Sequence, residues 1–289
     1  MTKPSPTRAA DSAGRRIWHK FVSNRVALVG MLVILGYVII ALAAPLLYPA
    51  DPATPNLARV LKPPSATDLL GTDELGRSIL GRIIWGSRVS LAIAVAVVAV
   101  GLVIGVPIGL VSGYYGGKLD FIIQRFTDVL LAFPGFLLAL ALIAVLGVGF
   151  TNTVTSVAIS MIPQYIRLVR SCSLTVRELT YVEAARAAGT RHLKILRRHI
   201  LPNVMVPIIV QTTLNLGVAI LFAAGLGFLG VGIQPPSPEW GTMLGAGRIY
   251  IFKAPHVATF PGLAIFLAVL GFNLLGDGLR DALDPRFKA

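Results

Sequence analysis

The sequence predicts an all-α polytopic membrane protein with six transmembrane helices, and three observations carry that expectation. Hydrophobic residues make up 55% of the 289-residue chain and charged residues only 13%, roughly half the ~25% usual in soluble domains. The mean hydropathy is +0.77. Uncharged apolar runs recur along the chain, each able to supply the ~20 residues that cross ~30 Å of hydrocarbon. The net charge is +13, from 26 Lys and Arg against 13 Asp and Glu. It lies between the apolar runs and forms no aromatic-and-basic patch, so it reads as a membrane topology signal and not as a nucleic-acid interface. A single cysteine, Cys172, excludes an internal disulfide and a cysteine-based metal cage.

The first span, Val26 to Ala50, follows an Arg-rich tail and is longer than the apolar region of a secretory signal. Pro45, Tyr48 and Pro49 make a poor cleavage site, so the segment reads as an uncleaved anchor. The second runs from Val89 to Gly117. Val129 to Ile166 is 38 residues without a charge, about 57 Å if helical and too long for one crossing. It breaks at Gly147 to Asn152 into a third span and a fourth, the latter over about Thr153 to Arg170. The fifth is expected from Val204 to about Gly230 and the sixth within Ala254 to Gly276. The fourth carries Ser, Thr and Pro163, and the positive-inside rule decides for it. With six spans, 19 of the 26 basic residues face the cytoplasm with both termini. Removing the fourth would put the densest basic loop outside.

Within the second span Gly101, Gly105, Gly109 and Gly113 recur every four residues. Small residues at that spacing let another helix backbone approach closely, either in a moving bundle or in ordinary static packing.

Catalytic patterns are missing: no His-Glu-x-x-His, no Gly-x-Ser-x-Gly, and four scattered histidines. Ser112 to Leu119 resembles a phosphate loop but has Ser112 in place of the first Gly and Leu119 in place of the Ser or Thr that would hold magnesium. The one carboxylate near an apolar span, Asp128, lies close to Arg125, which fits a solvated or paired interfacial acid better than the acid of an ion-driven carrier.

The basic stretch Arg167 to His199 reads as a built object. Thr180-Tyr181-Val182-Glu183 fits a capping box, with the Thr180 hydroxyl and Glu183 exchanging bonds with the backbone. Ala184, Ala185, Ala187 and Ala188, with Arg186 among them, favour helix. Gly189 stands where a left-handed residue ends it. Thr190 is expected to cap a second helix from Arg191 to about Leu201, stopped by Pro202. Such a loop is either a solvated basic connector or a docking element for a soluble partner.

These residues carry a resemblance. Glu183-Ala184-Ala185, Gly189 and Ile200-Leu201-Pro202 resemble the EAA loop of permease subunits of bacterial ABC importers. Three more segments are similar to the dipeptide, oligopeptide and nickel permease family: Leu70 to Arg77; Phe228 to Pro236 with Trp240-Gly241; and Asn273 to Asp281. Their order, and the Leu70 to Arg77 segment outside the membrane, resemble the second, C-type, subunit. Ser78 stands where an acid is common.

The resemblance implies a type I ABC importer transmembrane domain, with residues 1–88 as tail, first helix and outer loop, and 89–289 as a core of five helices. The core would contain a coupling loop at 171–203, in which Thr180 to Gly189 meets an ATPase. It further implies a second permease subunit, two cytoplasmic ATPases that hold ATP and Mg, and an extracytoplasmic substrate-binding protein that meets the loops Ala50 to Arg88 and Val231 to Pro255. No cofactor is expected in this chain, and no enzymatic activity. The expected cargo is di- or oligopeptides carried across the bacterial inner membrane. The alternatives are nickel chelates, glutathione or another small solute, and, from another class, an ion-coupled carrier.

Overall fold

A computed structural model describes residues 18–283. The tail cations Lys3, Arg8, Arg15 and Arg16, and Arg286 and Lys288 at the other end, lie outside the described residues. From Arg25 onward the chain folds into ten α-helices among the described residues, after a helical stretch at 18–23, with no strand there beyond an isolated bridge between Thr72 and Ser78. They are α1 (Arg25–Leu47), α2 (Ile79–Tyr115), α3 (Gly117–Leu131), α4 (Gly135–Leu146), α5 (Phe150–Arg177), α6 (Thr180–Ala187), α7 (His192–Ile195), α8 (Leu201–Phe228), α9 (Trp240–Gly247) and α10 (His256–Leu283).

Four stretches are long and apolar enough to cross a membrane: α1, α2, residues 192–228 and α10. The pair α3 and α4 adds a fifth if counted as one bent span. α5 is 28 residues long and, with these, is compatible with six crossings. Two expectations need correction here. The third span is not one straight helix, because α3 and α4 meet at 86°. Pro134, which lacks the N–H and would clash with the preceding turn, sits at the bend. The second span begins at Ile79 rather than Val89, with the Ser78 hydroxyl as N-cap accepting from the Gly81 amide at 3.3 Å. α2 therefore runs unbroken through position 88.

The four-residue glycine repeat is a contact surface. A Cβ on Gly105 would lie 2.6 Å from Tyr165 Cβ, and one on Gly109 2.8 Å from the Ile166 carbonyl oxygen. Gly101 and Gly113 meet Tyr165 and Arg170 in the same way. The backbones of α2 and α5 approach so closely that only hydrogen fits between them.

The segments that carry the resemblance turn out to be packing devices. In the loop before α2, Asp73 accepts from the Leu75 and Arg77 amides at 2.9 Å each and from Arg77 Nε at 2.7 Å. Glu74 takes Arg77 at 2.8 Å, and Arg82 of α2 lies 3.5 Å from Asp73. Gly76, with φ +72, has the Asn56 carbonyl where a Cβ would be. At the same end of the bundle, buried Glu239 caps α9 by accepting from the Gly241 and Thr242 amides at 2.9 and 2.7 Å. Trp240, fully buried, donates to the Ile83 carbonyl at 3.1 Å. In α10, Gly278 abuts Ala27 of α1 and Gly276 abuts Leu214 of α8.

Candidate functional site

The candidate site is at the opposite end of α2, where the chain leaves α5, forms α6 and returns as α7 and α8. Its helix is fixed in register by one apolar residue. Val182 is 0% exposed and joins Leu110, Tyr114, Val169, Val176, Ile195 and Ile200 in a small core separate from that of the bundle. Burying a valine is worth about 1.5 kcal/mol or more. Around Val182, Ala185 is half-buried, while Thr180, Tyr181, Glu183, Ala184, Arg186, Ala187, Ala188 and Gly189 are exposed. One side of the helix is thus anchored, and the other presents small alanines with one acid and one Arg.

The expected capping box does not form. The N-cap is Leu179, in extended conformation, with no side-chain cap bond, and Thr180 is already helical. The Leu179 carbonyl accepts from Val182 and Glu183 at 2.8 and 3.2 Å. Placing Val182 in its core sets the register, and that outweighs the preference of Thr180 for the cap. The other end is as expected. Gly189 has φ +72, its amide donates to the Arg186 carbonyl at 3.0 Å, and Thr190 N–H reaches the Ala185 carbonyl at 3.1 Å. This is the paired closure of a Schellman turn, which a left-handed glycine permits.

The second helix also differs from expectation. α7 is N-capped by Arg191 without a side-chain bond, and Pro202 does not stop it. Leu196–Ile200 widens into one π-helical turn and the chain runs on as α8. A local i→i+5 turn re-routes the backbone bonds that a proline cannot make. Asn203 Nδ2 donates to the His199 carbonyl at 2.6 Å and to the Tyr181 hydroxyl at 3.0 Å, which ties α8 to α6.

Long-range contacts, invisible in a local reading, join this loop to α2. Arg186 lies over the Tyr114 ring at 5.6 Å, a cation–π arrangement, and the Tyr114 hydroxyl is 2.7 Å from His192 Nδ1. Arg177 Nη1 donates to the Gly113 carbonyl at 2.9 Å, at the end of α2. Tyr114, Tyr115, Arg177, Glu178, Arg186 and His192 line a cleft of about 370 Å³ beside α6. The stretch Ser112 to Leu119, compared above with a phosphate loop, is the end of α2, a turn at Gly116 and the start of α3. Its Ser112 hydroxyl is buried and donates to Asp120 at 2.5 Å, and Asp120 takes both Arg170 Nε and Nη2, at 2.5 and 2.6 Å. Asp128 pairs with Arg167 at 2.8 Å, while Arg125 lies over the Phe121 ring.

An apolar helical bundle with an anchored surface helix at one end is the framework of a polytopic membrane protein. Known proteins make the class definite. The chain belongs to the family of binding-protein-dependent transport system inner membrane components, whose profile matches residues 105–289. A second profile, the N-terminal transmembrane domain of oligopeptide transport permease C, matches residues 12–64. The dipeptide transport system permease protein of Alkalihalophilus pseudofirmus is 46% identical over 99% of this chain and 94% of its own length. The glutathione transport system permease protein of Pectobacterium atrosepticum is 49% identical over 95% of this chain and 92% of its own. In fold, the chain resembles the methionine ABC transporter MetNI in an inward-facing conformation, with TM-score 0.57 at 20% identity over 70% of this chain and 97% of that one. The protein is a multi-pass inner-membrane permease subunit of an ABC importer, and its family works with ATPase and substrate-binding partners.

Proposed function

We propose that this chain is the C-type member of a pair of different permease subunits that imports peptides, with α6 as the helix that meets an ATPase. The observation that carries the reading is the build of α6, held by Val182 and by the turn at Gly189 while its alanine face stays open. A short helix seated on its own core transmits rigid-body motion into α5 and α8, whereas a flexible connector would absorb it. Thr180 to Gly189 form the contact, and the chain itself holds no nucleotide and catalyses no reaction. ATP and Mg belong to two ATPase subunits, and an extracytoplasmic protein supplies the substrate.

Peptide cargo is supported by the dipeptide relative. Glutathione, itself a tripeptide, is the second reading, supported by the relative at 49% identity. Reconstituted in vesicles with the second permease, the ATPases and the binding protein, the chain should support ATP-dependent uptake of peptide. Alone it should show neither flux nor saturable nucleotide binding. Flux by the isolated chain would establish a self-sufficient carrier instead.

The α6 end is cytoplasmic in this reading, as are both termini. In a Cys172→Ala background, Ala188→Cys should react with a membrane-impermeant thiol reagent only in inverted membranes, and Asn56→Cys only in intact spheroplasts. Reaction of both from the same side would overturn the topology.

A further inference from the structure

α5 carries a polar stripe that neither the hydropathy reading nor the family membership accounts for. Thr153, Ser156, Ser160, Gln164, Arg167, Ser171 and Thr175 follow one another at intervals of three or four residues, the spacing that keeps side chains on one helix face. On a helix of 3.6 residues per turn this face is opposite Tyr165, Ile166 and Val169, which meet the glycines of α2. The stripe therefore points away from the tightest contact in the bundle.

Its two halves differ. Towards the α6 end, Gln164, Arg167, Ser171 and Thr175 are exposed, and Arg167 forms its ion pair with Asp128 at 57% and 52% side-chain exposure. Hydrocarbon would penalise such a face heavily, so it borders water or protein and not lipid. Towards the other end, Thr153, Ser156 and Ser160 are 1%, 0% and 4% exposed. Ser160 returns its hydroxyl to the Val157 carbonyl at 2.7 Å. Among the described residues Thr153 Oγ1 and Ser156 Oγ have no hydrogen-bond partner; nor does Ser173 Oγ, on the side of α5 that faces α2. Buried hydroxyls without partners cost stability, and two in succession on one stripe suit a second state in which they are wetted.

The element placed to change their exposure is α4. Three residues separate it from α5, so a 12-residue helix reaches back over only about the first 12 residues of α5, where the buried half lies. α4 is in direct contact with α5, and its Ala139 and Ile143 belong with Val154, Val157 and Ala158 to the main core of the bundle. Both ends of α4 are breaks: Pro134 and the 86° bend on one side, and Gly147 and Gly149 with φ +87 and +128 on the other.

We propose that the α5 stripe from Thr153 to Thr175 is a wall of the solute pathway and that α4 is the shutter over its outer half. The inner half is open in this conformation and the outer half is closed. The solute is one that exchanges hydrogen bonds with hydroxyl and amide groups, as a peptide backbone does. The inference rests on the transport reading and deepens it.

The test is cysteine accessibility in the full importer, in a Cys172→Ala background that first shows ATP-dependent flux. Gln164→Cys and Ser171→Cys should react with a charged, membrane-impermeant thiosulfonate in the nucleotide-free state. Thr153→Cys and Ser156→Cys should be at least tenfold slower there, and should accelerate by at least that factor when the ATPases are trapped with nucleotide and binding protein. Val169→Cys, buried against Gly109 of α2 on the opposite side of the helix, should stay unreactive in both states. Cysteine is close in size to serine and threonine, and each variant's flux confirms its folding. Intact flux with positions 153 and 156 unreactive in both states would overturn the proposal. So would Gln164→Cys reacting only with a lipid-soluble maleimide. Absence of ATP-dependent flux in the importer with the unsubstituted chain would instead remove the transport reading, and the pathway with it.

Discussion

Replacing Gly189 by valine should leave the protein inserted and paired but largely uncouple ATP hydrolysis from transport. A Cβ at Gly189 would meet nothing within 4 Å, so the substitution introduces no clash. Its cost is in the backbone: φ is +72, and a β-branched residue held there is strained by about 1–2 kcal/mol. The chain can relieve the strain only by giving up the bonds from Gly189 to Arg186 and from Thr190 to Ala185, which frays the α6 terminus and changes the angle between α6 and α7. Transport should fall by roughly tenfold, since ~1.4 kcal/mol is a factor of ten in an equilibrium, and co-purification with the ATPase should weaken. Asparagine tolerates the left-handed region, so Gly189→Asn should retain most activity. The measurement is peptide uptake and ATPase rate in one reconstituted assembly. Equal loss with valine and asparagine would show that glycine is needed there for some reason other than backbone conformation.

Replacing Gly105 by leucine should act on the bundle itself. Its Cβ would lie 2.6 Å from Tyr165 Cβ and 3.1 Å from the Ile162 carbonyl oxygen, and one of those atoms is backbone that cannot swing aside. α2 and α5 must separate, and overpacking of this kind costs about 1–3 kcal/mol. Both the yield from membranes and the midpoint of thermal aggregation in detergent should drop. Gly36, which has nothing within 4 Å of its Cβ position, should accept the same change with little effect. Similar stability for Gly105→Leu and Gly36→Leu would contradict the close approach of the two helices. The contact between α2 and α5 is tight packing of backbone on backbone.

Hydropathy made most of the bundle legible, because a lipid-facing helix must be apolar for ~20 residues whatever its partners. α1 and α10 lie close to where the apolar runs place them, and the break expected at Gly147 to Asn152 falls at 147–149, between α4 and α5. The bend at Pro134 was hidden inside a continuous apolar run, since composition carries no direction. α5 is too polar to qualify as a span by composition; seven of its polar residues are gathered on one face, which an average along the chain erases. In the candidate site, Gly189 was readable because a left-handed turn demands a particular residue. Thr180 and Pro202 misled, because a local preference of about 1 kcal/mol yields to the burial of Val182 and to a π-turn at Leu196–Ile200. The contacts of Arg186 with Tyr114 and of Tyr114 with His192 join residues up to 78 positions apart, and no local pattern announces them. The segments that carried the family resemblance hold helices and loops together through Asp73, Trp240 and Gly278.

The central claim is that the exposed alanine face of α6 is where an ATPase subunit sits. Site-specific photo-crosslinking measures this directly: a benzophenone amino acid at Ala187, on that face, is illuminated in membranes that contain the whole importer. The account predicts a covalent adduct with the ATPase subunit, whose yield changes with nucleotide, and no such adduct from a probe at Leu263 on the exposed side of α10. An Ala187 probe that captures lipid alone, in an assembly that transports peptide at the normal rate, would contradict it.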